Sequence, residues 1–483
     1  MFLGIDLGTS GVKALLMDER QRVVGSFSQP LTVARPHPGW SEQSPADWIW
    51  ATQAALDGLH REHGLSGVAA IGLSGQMHGA VALDAAGEVL RPAILWNDSR
   101  AHVQAARLDG DPVFRRISGN IVFAGFTAPK LVWMAQHEPE LFARIATVLL
   151  PKDYLRLWLT GERVGEMSDA SGTSWLDTAA RRWSPELLAA SGMRADQMPA
   201  LVEGAEVSGH LRASLAQRWG MGRVVVAGGA GDNAASAVGA GITRPGQGFV
   251  SLGTSGVLFA ASDRYLPMPE SAVHAFCHAL PGRWHQMGVI LSASAALEWL
   301  AGLLGDAPAA LTGGLGPLQA PGELVFLPYL SGERTPHNDA FLRGVFAGLS
   351  PASDRAALVR ALLEGVAFAL ADNLAALRRA GASPQALLAQ GGGARSDYWL
   401  GAIATALDIP VLLPEGGDFG AAFGAARLGL IAGTGASPDE ICATPPIARE
   451  IAPDPALRDA FAAAQARFRD LLPAARQPAP APN

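Results

Sequence analysis

Short apolar runs alternate with longer amphipathic stretches along the chain, and their periods predict an α/β protein. Residues 68–73, 93–95, 224–227, 324–327, 387–389 and 411–413 read as buried strands. One helix start is explicit in Ser44-Pro45-Ala46-Asp47, with Ser44 at the N-cap, proline at the first helical position and a carboxylate in the first turn. That helix is expected to run to about His60. A second long helix is expected over 354–380, where Leu358, Leu362, Val366 and Leu370 fall four apart and Gly381 follows.

The strand pattern at 2–7 runs into Leu7-Gly8-Thr9-Ser10-Gly11-Val12. The same six residues return as Leu252-Gly253-Thr254-Ser255-Gly256-Val257 after the run at 248–252, 245 positions later. Each copy is followed by further apolar residues, so both predict a β-hairpin with a glycine-rich turn. Glycine admits positive φ and close backbone approach, while the hydroxyls of Thr and Ser stand beside exposed N–H groups in a nest suited to phosphate oxygens. One copy alone could be an ordinary turn; identity over six positions near the start of each half points to two related half-molecules sharing one site. A chain of 483 residues exceeds one core, and the turn-rich segment Thr243-Arg244-Pro245-Gly246-Gln247-Gly248 is the best boundary. The expected domains are 1–244 and 245–472, followed by a loose tail at 473–483 that ends in alternating Pro and Ala.

Composition narrows the partner. With 49% hydrophobic residues each half can bury its own core, and a net charge of −7 without a Lys/Arg run offers nothing to a nucleic acid backbone. A small molecule is the expected partner. The two cysteines, Cys277 and Cys442, have neither disulfide nor zinc spacing, which fits a reducing cytoplasm. No apolar run reaches the roughly 18 residues of a membrane span, and Met1 leads directly into a strand pattern rather than a leader, so no membrane partner is expected.

The chemistry gathers on loops. Neither GxxxxGK[ST] nor a GxGxxG after a strand occurs, so phosphates must be held by other means. Asp6, two residues before the first turn, suits a carboxylate that positions hydrated Mg²⁺ beside phosphates. Asp232, in Gly228-Gly229-Ala230-Gly231-Asp232-Asn233, follows a strand and opens a small-residue helix pattern. The helix dipole there keeps a carboxylate ionised, as a general base requires, although an N-cap role fits the same position. Gly75-Gln76-Met77-His78-Gly79 and Trp96-Asn97-Asp98-Ser99-Arg100 each follow a predicted strand, where α/β sheets hold ligands, and together offer hydrogen-bonding groups and an aromatic face to a polyhydroxylated substrate. In the second half Gly391-Gly392-Gly393 gives a flat floor for adenine or ribose. The loop at 416–422 enters another small-residue helix and is equally consistent with close packing. Ser331-Gly332-Glu333-Arg334-Thr335-Pro336 is strongly polar after a buried run, without an assignable role.

Together these segments resemble the FGGY family of carbohydrate kinases, within the actin-like, ribonuclease-H-like ATPases, over almost the whole chain. The resemblance is carried by GIDLGTSGVK from Gly4, RPHPGWSEQ from Arg35, SGQMHG from Ser74, ILWNDSR from Ile94, LPKDYLRL from Leu150, GDNAASAVG from Gly231, SLGTSG from Ser251, FLPYLSGERTPHN from Phe326 and GGGARSDYW from Gly391. It implies two ribonuclease-H-like domains around a central cleft. It also implies Asp232 as catalytic base, Asp6 as the metal-linked acid, and Met77, His78 and Asn233 at the sugar, with Trp96, Asn97 and Asp98 on the sugar side. Gly8, Thr9, Ser10, Gly253, Thr254 and Ser255 fall at the phosphates and Gly391, Gly392 and Gly393 at the adenosine. The implied reaction is Mg²⁺-dependent transfer from ATP to the C5 hydroxyl of D-xylulose, in pentose catabolism, by a cytoplasmic enzyme for which a homodimer is compatible. Ribulose, gluconate or glycerol is the alternative substrate within the family. An actin-like ATPase switch is the alternative outside it; that role needs a partner-binding domain or polymer surface, and beyond the two expected halves the sequence offers only the short tail.

Overall fold

Each glycine turn closes a hairpin at the centre of its own seven-stranded sheet, and the two sheets repeat one strand order. In the first, Val207–His210, Val225–Ala227, Ala70–Gly75, Phe2–Leu7, Gly11–Met17 and Val23–Pro30 lie side by side, and Ala230–Gly231 pairs with the end of Ala70–Gly75. In the second the order is His274–Cys277, Trp284–Ile290, Gly256–Ser262, Gln247–Leu252, Ala386–Gln390, Val411–Pro414 and Ile447–Ile451. Phe2–Leu7 pairs antiparallel with Gly11–Met17 and parallel with Ala70–Gly75. Gln247–Leu252 pairs in the same way with Gly256–Ser262 and Ala386–Gln390. The sequence repeat is therefore a repeat of topology. This computed structural model describes residues 1–416 and 419–476.

Two of the expected strands belong to neither sheet. Ala93–Ile94 pairs with Glu42–Gln43 and bridges to Ala80, and Val325–Leu327 forms a hairpin with Val345–Ala347. A short apolar run reports burial, not the neighbour that accepts its hydrogen bonds. The helix Pro45–His63 outlasts its expected end by one turn and stops at Gly64, whose φ is +63°. Ser44 is extended before it, but its side chain makes no capping bond, and the Asp47 amide donates to the Ser44 carbonyl at 3.0 Å. The helix Arg355–Arg379 matches its pattern; Asp354 accepts from the Ala357 amide at 2.7 Å, and Gly381 turns the chain with φ +100°.

The division near residue 244 is crossed most extensively by one helix. Helix Ala421–Thr434 comes from the second half of the chain yet packs on the first sheet, against Phe2, Leu15, Ala70 and the helix Asp232–Gly239. Its backbone touches the strands directly. A Cβ on Gly4 would stand 1.8 Å from the Ala422 carbonyl oxygen, one on Gly72 1.7 Å from that of Ala425, and one on Gly424 1.8 Å from that of Ala235. Close packing thus accounts for the small residues of this helix. Of the loop leading into it, Gly417 and Asp418 lie outside the described residues.

The expected loose tail begins later than residue 473. Leu472–Ala475 is helical with Ala475 buried, and Arg476 bridges to Leu342 and pairs with Asp339 at 3.1 Å. Residues 477–483 lie outside the described residues. Each sheet has its own apolar core, and a further cluster including Met77, Phe126, Phe249, Phe259, Phe276 and Met287 joins the halves. Among the described residues no helix is long and apolar enough to cross a membrane. Both cysteines are buried as free thiols.

Candidate active site

Sheet register sets the two candidate acids at one end of the first half. Asp6 stands opposite Ser74 on one side and Lys13 on the other, and Ser74 in turn faces Ala230. Asp232 follows two residues later, as the first residue of helix Asp232–Gly239, so Asp6 lies on one strand beside Ala70–Gly75 and Asp232 just beyond the end of another. They sense each other: burial, and next the charge of Asp6, push the Asp232 carboxyl up to about 6. Burial likewise raises Asp6, against lowering by Ser74 and the Lys13 charge. The helix N-terminus favours the ionised form, yet desolvation and like charge win here. Its oxygens are unequal. Oδ1 accepts from the amide of Asn233 at 2.8 Å and from Asn233 Nδ2 at 3.0 Å, while Oδ2 has no donor among the described residues. Asn233 therefore orients the carboxylate, and the free oxygen is the one able to take a proton.

The two sugar-side loops meet at the first glycine turn. Thr9 Oγ1 donates to Gln76 Oε1 at 2.9 Å and accepts from Trp96 Nε1 at 2.9 Å. Gln43 Nε2 holds the Thr9 carbonyl at 2.8 Å, and its Oε1 accepts from Gln76 Nε2 and Trp48 Nε1, each at 3.0 Å. With its indole N–H committed, Trp96, 43% exposed, offers a ring face rather than a donor. Asn97 is exposed and its amide makes no bond among the described residues. Asp98 is different. Both its oxygens are spent on Arg100 and on the amides of Ser41 and Arg100 at 2.6–2.9 Å, and it is 2% exposed. The sugar-side reading of Asp98 is thereby corrected: it is a buried strut, because an adjacent guanidinium saturates it.

His78 has the left-handed φ of +70°, rare for a residue with a side chain and a recurrent mark of ligand sites. The strain is held from behind, since its carbonyl accepts from Lys130 Nζ at 2.8 Å and Thr127 Oγ1 at 3.1 Å. Its ring stacks on Phe126 with centroids 4.6 Å apart, and burial pushes its pKa down to about 3. Nδ1 lies 2.7 Å from the Gly172 carbonyl, which can only accept. The imidazole is thus neutral with Nε2 as an acceptor, suited to a sugar hydroxyl. Met77 closes the loop on the base: a Cβ on Gly231 would stand 2.9 Å from its Sδ.

In both turns the glycines leave backbone amides open. Gly8 N bonds to Gly11 O at 2.9 Å, whereas the amides of Thr9, Ser10, Thr254 and Ser255 have no acceptor among the described residues. The carbonyls of Gly253 and Thr254 accept from Ala293, Ser294 and Ala295, fixing the second turn on the start of helix Ser294–Leu304. Gly391, with φ +86°, passes so close to Leu252 that a Cβ would meet its backbone at 2.8 Å, and Gly393 packs between Leu252 and Trp399. Gly392 faces open space, beside a cavity of about 700 Å³ lined by Ser294, Glu298, Pro308, Gly392, Gly393 and Ser396 among others. This cavity can take a nucleoside, and it lies apart from the carboxylates. Among the described residues no direct bond joins the Gly253–Gly393 group to the Asp6–Asp232 group; the Met77 cluster with Phe249 and Phe259 connects them.

The loop of unassigned role leans on the sugar side. The Arg334 guanidinium lies 4.6 Å over Phe123 and 3.2 Å from His274 Nε2. Burial pushes Glu333 up to about 8 although the Leu291 and Arg334 amides bond to it. Gln43, Gln76, Lys130 and Gly172 were not singled out by sequence reasoning. Gln43 and Gln76 lie inside the quoted motifs, where a buried amide is the mark; Lys130 and Gly172 lie outside them.

The family model for the N-terminal domain of FGGY carbohydrate kinases matches residues 1–239, and that for the C-terminal domain matches residues 248–433. The chain is 52% identical to the xylulose kinase of Escherichia coli strain K12 over 89% of its length and 90% of that relative. A crystal structure described as a xyloylose kinase from Brucella ovis superposes with a TM-score of 0.97 at 63% identity, covering 98% of this chain and 99% of that one. The xylulose kinase structure from Rhodospirillum rubrum gives 0.91 at 34% identity, covering 98% of each chain.

Proposed function

The chain belongs to the FGGY family of carbohydrate kinases, and on that premise we propose that it transfers the γ-phosphoryl group of ATP to the C5 hydroxyl of D-xylulose. Products are D-xylulose 5-phosphate and ADP. The observation that carries the base assignment is Asp232, with one oxygen tied to Asn233, the other free, and a pKa near neutrality.

As the hydroxyl oxygen attacks phosphorus and the bond to the ADP oxygen breaks, Asp232 Oδ2 accepts the hydroxyl proton. Met77, His78 and the Trp96 face hold the ketose, with Asn97 at its edge. The open amides of the Gly8–Ser10 and Gly253–Ser255 turns meet phosphate oxygens and stabilise charge spreading over them. Gly391–Gly393 and the adjoining cavity take the adenosine. Asp6 Oδ1 is covered and has no hydrogen-bond partner among the described residues, an orphaned acceptor that fits a hydrated cation, although no group of three or more His, Cys, Asp or Glu that could hold a metal occurs there. Mg²⁺ bound through Asp6 and nucleotide phosphates would supply charge neutralisation. The two free buried thiols and the need for ATP fit a cytoplasmic enzyme. The residues invoked all come from one chain, so a homodimer is compatible with the chemistry without being required by it.

The test is ADP release with Mg-ATP and D-xylulose, D-ribulose, gluconate or glycerol, in wild type and Asp232→Ala. D-xylulose is expected to give the highest kcat/KM, and Asp232→Ala to lower kcat by about 10²–10⁴-fold. Preference for another polyol overturns the substrate, and near-normal turnover by the variant overturns the base.

A further inference from the structure

Behind the candidate base lies a group of ionisable side chains that phosphoryl transfer does not consume. Lys152, Asp153, Arg156, Glu166 and Asp169 are each at most 1% exposed. Lys152 Nζ lies 2.7 Å from Asp153, 3.2 Å from Asp169 and 3.3 Å from Glu166, and Arg156 Nη1 lies 2.7 Å from Asp153. Burial pushes the Asp169 carboxyl well above its ordinary value, against lowering by the Lys152 charge. Enclosing so many charges is costly, and apolar residues of similar volume would commonly serve stability as well. Their outward bonds indicate what else they do.

One outward bond, from Arg156 Nη1, ends on the Val164 carbonyl; two others lead to the segment that carries Asp232. Arg156 Nη2 donates to the carbonyl of Gly228. Glu166 Oε2 accepts from the Ser168 amide at 2.7 Å and Oε1 from Ser168 Oγ at 2.9 Å, and Ser168 Oγ accepts from the Gly231 amide at 3.0 Å. The Glu166 carboxylate can only accept, so the Ser168 proton is committed to it and a lone pair is turned to Gly231. Gly231 is the N-cap of the helix that Asp232 opens. Three of the four residues at 228–231 are glycine and supply little restraint of their own, so rotation at Gly231 would swing the carboxylate away from its substrate.

We propose that Ser168, held by Glu166 and Lys152, is a positioning residue that fixes the Gly231 amide and thereby aims Asp232. This rests on the reading of Asp232 as the base. Its chemistry is that of a buried strut charged at one end and neutral where it meets the moving part.

The test is a Ser168 series in the full chain, read as kcat, KM for ATP and sugar, thermal midpoint and the pH profile of kcat/KM. Ser168→Ala is expected to lower kcat about 10- to 100-fold with KM for ATP within about twofold, because small misplacements of a reacting group cost rates of that order. Its acid limb is expected to move, since a carboxylate released from its buried setting titrates nearer its ordinary value. Ser168→Thr keeps the hydroxyl and is expected to recover most of kcat, while Ser168→Val has the same shape without it and is not. Wild-type kcat and an unmoved acid limb in Ser168→Ala overturn the proposal, as does an equal loss in Thr and Val variants that both fold. Where those two do not fold, the acid limb of Ser168→Ala decides. All ratios are taken on whichever sugar the wild type turns over best, so a wrong substrate leaves this test intact. Asp232→Asn is run alongside; full turnover in that variant overturns the base reading instead.

Discussion

At the scale of single residues, environment assigned the roles that composition left open. Asp232 and Asp98 are both acids in motifs beside apolar runs, yet one keeps a free oxygen and the other keeps none. For Asp232 the raised pKa has two consequences of defined sign. The acceptor form is lost on acidification, so kcat/KM is expected to fall about tenfold per pH unit below about pH 6, measurable as a single acid limb. Because the folded-state pKa lies above the ordinary 3.8, the unfolded chain ionises first, so the penalty on the native state is absent below about pH 4, builds between about 4 and 6, and is complete above about 6. Asp232→Asn is therefore expected to be more stable than wild type by about 1–3 kcal/mol at pH 8, with the gap closing below pH 4, by denaturant titration at both pH values. For Asp98→Ala the expectation is the reverse of a substrate contact: about 2–4 kcal/mol lost in stability, because the Ser41 and Arg100 amides lose their acceptor and Arg100 keeps only Glu42, with KM for sugar in the surviving folded fraction changed less than threefold.

At the scale of elements, periodicity located helices well and strands only as buried runs. The 354–380 prediction succeeded because an N-capping Asp, a four-residue apolar spacing and a following glycine are local signals. The strands at 93–95 and 324–327 were legible as buried but not as belonging to small separate ladders, since the partner is set by residues far along the chain. Helix Ala421–Thr434 shows the same limit. Its small residues announced close packing, but the surface it packs on was not readable from them. Gly72→Ala tests that contact. With a Cβ 1.7 Å from the Ala425 carbonyl and backbone on both sides, neither partner can yield cheaply. The variant is expected to lose roughly 3 kcal/mol or more, seen as a lower denaturation midpoint, whereas Gly392→Ala, where the added methyl meets nothing within 4 Å, is expected to fold normally.

At the scale of the whole molecule, the halves are duplicated but not independent. Helix Ala421–Thr434 covers one face of the first sheet and reaches Phe2, Leu15 and Ala70, so residues 1–244 expressed alone leave that apolar face bare. That fragment is expected to aggregate or to lack a cooperative unfolding transition, and to be rescued by co-expression with residues 245–476; a soluble, cooperatively folding fragment would refute the account. The sequence by itself determined the duplication, the α/β class, the glycine turns and the motif set by which the family is recognised. These are local, because turn geometry and periodicity act over a few residues. Only the tertiary structure decided which acid keeps a free oxygen, that Trp96 and Gln76 converge on Thr9, that Asp98 is a strut, and that a buried charge cluster ends on Gly231. Those outcomes depend on desolvation and on partners distant in the chain, which no short window of sequence contains.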